Sequence, residues 1–275
     1  MIDVKNIQYK YAGQKEQVFD NFSLQLSENN IYGLLGKNGT GKSTLLYLIA
    51  GLLRPGKGSV RVNGYESFER RPEMLKEIFI VPEEFDMPSM SLDQYVRINQ
   101  PFYPQFSREV LRNCLNDFEL PDSLKLNELS MGQKKKVFMS FALAAGTRLL
   151  LMDEPTNGLD IPSKAQFRRT IANNMSDDRI LLISTHQVHD VESLLDHILI
   201  LSQNRLLCDS SVSDVLSRYQ FDYRMPSEMD DSVIYSEPTM HGNAVMVRRN
   251  DGEGETSLNL ELFFNAVTNN KNINF

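Results

Sequence analysis

Three groups of residues in this chain have the types and spacing to act on a phosphate ester. The first is Gly36, Lys37, Asn38, Gly39, Thr40, Gly41, Lys42, Ser43 and Thr44, in which Gly36 and Gly41 enclose four residues and lead straight into Lys-Ser. Glycines let successive backbone N–H groups turn inward around phosphate oxygens. The lysine adds a charge on the β and γ groups, and the serine hydroxyl can hold Mg2+. The apolar run "NIYGLL" precedes the loop and "TLLYLIAGLL" follows it. That order predicts a strand and then a helix whose positive end, near Lys42, faces the same anion. The second group is Asp153-Glu154, at the end of "LLLMDEP". A carboxylate at the C-terminal tip of a buried strand is placed to share Mg2+ with Ser43, and Glu154 beside it can orient an attacking water or take its proton. The third is His186, which ends the apolar run "RILLISTH". It is expected at the same crevice, against the γ-phosphate.

A fourth stretch, "LSMGQKKK" over 129–136, is harder to read. Ser130 and Gln133 have the S-x-x-Q spacing of a capping box, which closes a helix start on itself. Lys134, Lys135 and Lys136 then fall in the first turns, where the helix dipole already carries partial positive charge. Their placement predicts a negative group nearby.

The elements that must position these residues follow from periodicity. "IDVKNIQYKY" and "FSLQLS" alternate and read as half-buried strands, and "GSVRVNG" reads as a strand closing in an Asn-Gly turn. The unalternated runs at 148–155 and 179–186, separated by a helical stretch, require a parallel sheet covered on both faces. Between them and the phosphate loop, residues 86–146 are mostly helical and punctuated by proline, as an insertion would be. Beyond about residue 220, "SVIYSEP", "NAVMVRR" and "SLNLELFFNAVT" predict two strands and an amphipathic helix. The fold class is therefore α/β. It has a P-loop NTPase core, a mostly parallel sheet with helices on both faces, and an N-terminal antiparallel β segment. A helical subdomain is inserted (86–146), and a small C-terminal α+β extension (221–275) follows the 1–220 domain.

Charge narrows the partners. The chain carries a net −7, and residues 221–275 hold nine acidic against four basic side chains. A general nucleic-acid binder needs clustered lysine and arginine, so no nucleic-acid partner is expected. Cys114 and Cys208 lie far apart with no CxxC spacing, which disfavours a disulfide framework or a zinc site. No secretory leader and no apolar run of membrane-spanning length is visible, so a soluble protein is expected, meeting a membrane only through a partner.

Taken together, these motifs resemble the nucleotide-binding subunit of an ABC transporter, over nearly all of residues 1–220. Gly36–Thr44 resembles the Walker A loop, "LSMGQ" the signature, "LLLMDEP" the Walker B strand, "NGLD" (157–160) the D-loop and His186 the switch histidine. Tyr11 stands where the family places an aromatic ring against adenine, with Tyr9 as a nearby competitor. The sequence departs from the family twice. Met131 replaces the first glycine of LSGGQ, and Glu83 in "VPEEF" stands where the family commonly has glutamine. Glutamate remains an oxygen donor to Mg2+ but adds charge beside Asp153 and Glu154.

The resemblance implies ATP and Mg2+ as ligands, with Ser43, Asp153 and Glu83 around the metal. It also implies a dimer of two copies, in which Ser130, Gly132, Gln133 and Asp160 of one chain reach the ATP held by the other. On that reading Lys134–Lys136 lie in the field of the partner's triphosphate. It further implies ATP hydrolysis at Glu154, aided by His186 and Lys42. An integral-membrane permease would be the second partner, docked near "FDMPSM" and "NQPFYPQF", with the subunit peripheral at the cytoplasmic face and working in export. The competing readings are a soluble ABC-type ATPase free of any transporter and a regulatory subunit that binds ATP without turnover.

Overall fold

Strands buried on both faces need apolar residues at every position, and the way they divide those residues defines the core. The computed structural model describes residues 1–250, 254, 256–269 and 273; the remainder of the expected 221–275 extension lies outside the described residues. β1 (Ile2–Tyr9) and β2 (Phe19–Leu26) pair antiparallel, as their alternation requires. β3 (Asn30–Leu35) runs into the phosphate loop and α1 (Lys42–Ile49). β4 (Lys57–Val62) pairs with β1 and turns into β5 (Tyr65–Glu66) through Asn63-Gly64, both at positive φ. These strands form the N-terminal antiparallel sheet, in the order β2-β1-β4-β5.

After α2 (Pro72–Leu75) and β6 (Ile78–Val81) come the inserted helices α3 (Leu92–Asn99), α4 (Arg108–Asp117) and α5 (Met131–Ala144). Each starts on a serine whose hydroxyl accepts an N–H of its own first turn, Ser91, Ser107 and Ser130. β7 (Leu149–Asp153), α6 (Ile161–Asn174), β8 (Ile180–Thr185), β9 (His197–Ser202) and β10 (Arg205–Ser211) complete the central sheet. Its order is β10-β9-β3-β8-β7-β6, parallel throughout except for the edge strand β10. Leu149 and Leu151 of β7 enter the core shared with the N-terminal sheet and α1, while Leu150 and Met152 enter the core beneath the inserted helices. β8 divides the same way, Ile180 and Leu182 against Leu181 and Ile183. The apolar runs that do not alternate in sequence thus alternate between two cores.

The C-terminal part differs from expectation by one strand. α7 (Val212–Arg218) is followed by β11 (Tyr219–Arg224), which crosses the expected boundary at 220, and then by β12 (Val233–Thr239), β13 (Gly242–Arg248) and α8 (Leu260–Asn269). The sheet order is β11-β13-β12. β11 escapes a periodicity search because only Phe221 along it is buried. Its pairing with β13, not its hydrophobicity, makes it a strand. α8 is anchored to the segment after His186. Leu260 N–H donates to Glu192 Oε1 at 2.7 Å, and His189 Nε2 lies 2.6 Å from Glu261 Oε2.

The inserted helices are locked to the sheet through Phe141 of α5, fully buried, whose ring lies 5.8 Å from Phe79 of β6, 5.1 Å from Tyr95 of α3 and 5.1 Å from Phe106. Phe141→Ala is expected to cost about 3–5 kcal/mol, the range for emptying a buried aromatic site, read as a lowered urea midpoint.

Candidate nucleotide-binding and catalytic site

The chemical residues meet because the sheet register aligns the strand ends that carry them. Leu35 of β3 pairs with Thr185 of β8, and Asp153 of β7 pairs with Ser184, so the phosphate loop, Asp153-Glu154 and His186 all leave the same edge. Between β3 and α1 the loop turns through Gly41 at φ +97°, where a Cβ would stand 2.8 Å from Val18. Glycine there is a steric and conformational requirement. Lys42 is buried, and its Nζ donates to Gly36 O at 2.8 Å and Lys37 O at 3.3 Å, folding the side chain back along the loop. Thr40 Oγ1 donates to Lys37 O at 2.9 Å.

A cleft of about 370 Å³ opens over this loop, lined by Tyr11, Asn38, Gly39, Gly41, Lys42, Ser43, Thr44, Glu83 and Glu154. Gln14 and Val18 also line it; the sequence reading missed both, since neither belongs to a motif. The Tyr11 hydroxyl shares a 3.0 Å hydrogen bond with Thr44 Oγ1, and its ring stands edge-on to Tyr9 at 5.1 Å. Of the two competing tyrosines, Tyr11 is the one that lines the cleft.

Asp153 is buried and accepts hydrogen bonds from Ser184 and from the Ser43 hydroxyl. Burial pushes its carboxyl above the usual carboxylate range, and the charges of Glu154 and Glu83 push the same way. Glu154 would point to the opposite face if the strand simply continued. Instead its backbone turns to φ +44°, and its N–H donates to Ser184 O at 2.9 Å. The carboxylate then accepts from Thr185 Oγ1 (3.0 Å) and from the backbone N–H of His186 (3.1 Å). It also bonds His186 Nδ1 at 2.8 Å and stands 3.6 Å from Lys42 Nζ. Glu83 Oε1 accepts from Asn157 Nδ2 at 2.8 Å. Asn157 had no role in the sequence reading beyond its place in "NGLD".

The donors around Asp153 suit Mg2+. Ser43, Asp153 and Glu83 offer hard oxygens only, while Glu154 stands against the phosphate-loop Lys42. Among the described residues no three His, Cys, Asp or Glu side chains converge closely enough to hold a metal by themselves, so a serine hydroxyl and the ligand's own oxygens would have to complete the shell.

The signature segment lies apart from this cleft. Both halves of its capping box are formed, with Gln133 N–H donating to Ser130 Oγ at 3.3 Å and Ser130 N–H to Gln133 Oε1 at 3.0 Å. A Cβ at Gly132 would meet nothing nearer than Leu159 Cδ2 at 3.9 Å, so nothing among the described residues demands glycine there. Asp160 caps α6, accepting from Ser163 N–H at 2.9 Å, and those hydrogen bonds hold its carboxyl below the usual range.

The three lysines need a correction. Helical rotation turns Lys135 inward, where it is buried and its Nζ donates to Asn157 O at 2.8 Å and Glu154 O at 3.3 Å. Lys136 donates to Gln166 Oε1 at 2.9 Å and rests over the Phe118 ring. Two of the three are therefore tied within their own chain and do not form a shared outward-facing patch.

A family model described as ABC transporter matches residues 19–157, and the chain belongs to the ABC transporter family, as an ATP-binding cassette. It is 28% identical over 80% of its length to the ABC transporter ATP-binding protein YtrB of Bacillus subtilis, covering 75% of that protein. It is 30% identical over 78% of its length to the methionine import ATP-binding protein MetN of Carboxydothermus hydrogenoformans, covering 67% of it. In fold it matches a solved ATP-binding subunit of an ABC transporter with a TM-score of 0.69 at 24% identity, covering 78% of this chain and 91% of that one.

The Asp153 shift has a stability consequence. Its folded pKa lies above the unfolded value, so the folded state binds that proton more tightly and stability falls as pH rises through the interval between the two. Asp153→Asn keeps an acceptor for Ser184 and removes the buried charge. In nucleotide-free protein it is expected to melt a few degrees above wild type at neutral pH, with the difference vanishing at acid pH as the wild-type carboxyl protonates.

Proposed function

We propose that the chain binds Mg-ATP over Gly36–Thr44, dimerises with a second copy to complete two ATP sites, and hydrolyses ATP to power export through a separate integral-membrane permease. Glu154 carries this reading. One carboxylate, 3.6 Å from Lys42 Nζ and 2.8 Å from His186 Nδ1, brings a proton acceptor, a phosphate-directed cation and a histidine to one point of the cleft.

Backbone N–H groups from Gly36 to Thr44 wrap the phosphates, Lys42 swings its charge from the loop carbonyls to the β and γ groups, and Tyr11 offers a ring to the base. Ser43, Asp153 and Glu83 would hold Mg2+, which would supply positive charge to offset that of the phosphates. Glu154 takes a proton from the attacking water. The water oxygen bonds to the γ-phosphorus as the bond to the β–γ bridging oxygen breaks, and that electron pair leaves with ADP. His186 holds Glu154 through Nδ1 and presents Nε2 to the γ-phosphate.

Gly132 supports the dimer. Its bare α-carbon is not needed by its own chain, which suits a close approach by the partner's γ-phosphate to the open N-terminus of α5. Ser130 and Gln133 flank the same helix end. Asp160 lies nearby with Ile161, 84% exposed, and Met131, 53% exposed, apolar side chains suited to a face that a second copy covers. The solved dimeric cassettes of the same fold include one bound to ADP and Pi.

Among the described residues no helix is long and apolar enough to cross a membrane, so the reading assigns that task to the permease and places this subunit at the cytoplasmic face. A groove of about 780 Å³ between β6 and the inserted helices, lined in part by Leu52, Phe79, Tyr95, Phe102 and Phe138, offers it a docking surface. Phe102, 67% exposed, comes from "NQPFYPQF". Export is assigned from the likeness of "LILSQNRLLCDSSVSDVL" and α8 to export-type subunits.

Glu154→Gln is expected to lower kcat about 10²–10³-fold while ATP-bound dimer accumulates on size exclusion. Wild type no faster than this variant would leave only a regulatory, ATP-binding role. In the signature, Met131→Gly is expected to stay within about twofold of wild type, whereas Gly132→Asp abolishes ATP-driven dimerisation by steric block and repulsion. Equal damage at both positions would overturn the proposed interface.

A further inference from the structure

Glu192 and Glu261 are carboxylates outside every sequence motif, and they reach toward each other's segments. Glu192, in the stretch after β8, accepts from the backbone N–H of Leu260, the first residue of α8, at 2.7 Å. An amide at a helix start has no acceptor within its own helix, and the dipole there favours an anion. Glu261, on α8, lies 2.6 Å from His189 Nε2, and His189 Nδ1 lies 3.9 Å from Glu192 Oε2. The two contacts span 68 and 72 positions of sequence. Val188 and Val191 lie in the same apolar core as Leu262 and Phe263 of α8. The stretch that α8 grips is the direct continuation of His186. Gln187 N–H donates to Thr185 Oγ1 at 2.9 Å, Asp190 N–H to Gln187 O at 3.2 Å and Val191 N–H to Val188 O at 3.2 Å. These consecutive turns leave little slack between His186 and Glu192. From α6, Lys164 Nζ meets Gln187 Oε1 and Asp190 Oδ2, each at 2.8 Å. His186 in turn meets Glu154 twice, through its backbone N–H and through Nδ1, so moving the stretch changes the setting of both groups. A misplacement of about 1 Å can cost on the order of 100-fold in rate.

We propose that Glu192 and Glu261 are positioning residues for ATP hydrolysis. Their clasp between α8 and residues 189–192 sets His186 against Glu154 through the turns that join them. The C-terminal extension thereby acts on turnover and not on nucleotide binding. The clasp can matter in this way only if His186 and Glu154 act in ATP hydrolysis, the reading on which the inference rests.

The test cuts both contacts at once in the full chain. Glu192→Ala with Glu261→Ala removes both carboxylates, whereas Glu192→Gln with Glu261→Gln keeps an oxygen acceptor at each place. Exposed carboxylate–imidazole pairs add little stability, so the alanine pair is expected to melt within about 4 °C of wild type. Well below that midpoint it is expected to lower kcat about tenfold at saturating Mg-ATP, with KM for ATP within about twofold. The glutamine pair is expected to stay within about threefold of wild type. In a His186→Ala background the alanine pair is expected to add no more than about 1.5-fold, because a contact acting through His186 has nothing left to lose. The His186 imidazole C–H resonances, assigned by their loss in His186→Ala and followed without nucleotide, are expected to shift in the alanine pair and return in the glutamine pair. Unchanged kcat in the alanine pair, a glutamine pair equally slow, a full further loss without His186, or unmoved His186 resonances overturns the proposal. Should the alanine pair not fold, Glu261→Ala, at a side chain 53% exposed, takes its place with about a threefold loss expected. If wild type does not exceed Glu154→Gln in turnover, the ATPase reading fails separately, and the resonances alone decide whether α8 sets His186.

Discussion

Charge buried at the tip of an apolar strand destabilises a fold unless partners are supplied, and the carboxyl edge of the central sheet buries Lys42, Lys135, Asp153 and Glu154 together. Much of the surrounding structure serves to partner them. Lys42 is folded onto loop carbonyls, Asp153 accepts from Ser184 and Ser43, Glu154 accepts from β8 and His186, and Lys135 closes the group from the helical side. These contacts draw on both flanks of the sheet, so the phosphate loop, the strand ends and the signature helix cannot be placed independently.

Two positions at this edge have unusual backbone demands. Gly41 at φ +97° sits against Val18, where no side chain fits, and Glu154 pays the strain of φ +44° without being glycine. The second is the more informative. A non-glycine residue stays in that region only where its surroundings over-determine it, and four hydrogen bonds through its N–H and carboxylate do so here. The strained turn allows Asp153 and Glu154, adjacent in sequence, to serve the same cleft.

The signature helix carries residues turned into its own chain beside residues that the chain's packing leaves free. Its capping box satisfies its own first-turn amides, its bare Gly132 is surplus to the chain's packing, and its second lysine is spent inside the chain. Helical geometry separates these roles. Successive residues are rotated by about 100°, so Lys134, Lys135 and Lys136 cannot share one environment.

The sequence by itself marked the residues that converge on the cleft and most of the fold. Gly36 to Thr44, Asp153-Glu154 and His186 were legible because each ends an unalternated apolar run, and a buried strand must deliver its polar terminus to a sheet edge. Alternation marked the N-terminal strands, and local patterning the inserted helices, β12, β13 and α8. Tertiary structure alone decided what periodicity cannot encode. β11 is a strand through its pairing with β13, Tyr11 rather than Tyr9 lines the cleft, and Asn157 joins Glu83 to Lys135 across 74 positions from Glu83. It also reversed the reading of the lysines. Local rules see only a cation against a helix dipole, whereas the Glu154 and Asn157 carbonyls that hold Lys135 come from a segment distant in sequence, brought to it by the register of the sheet.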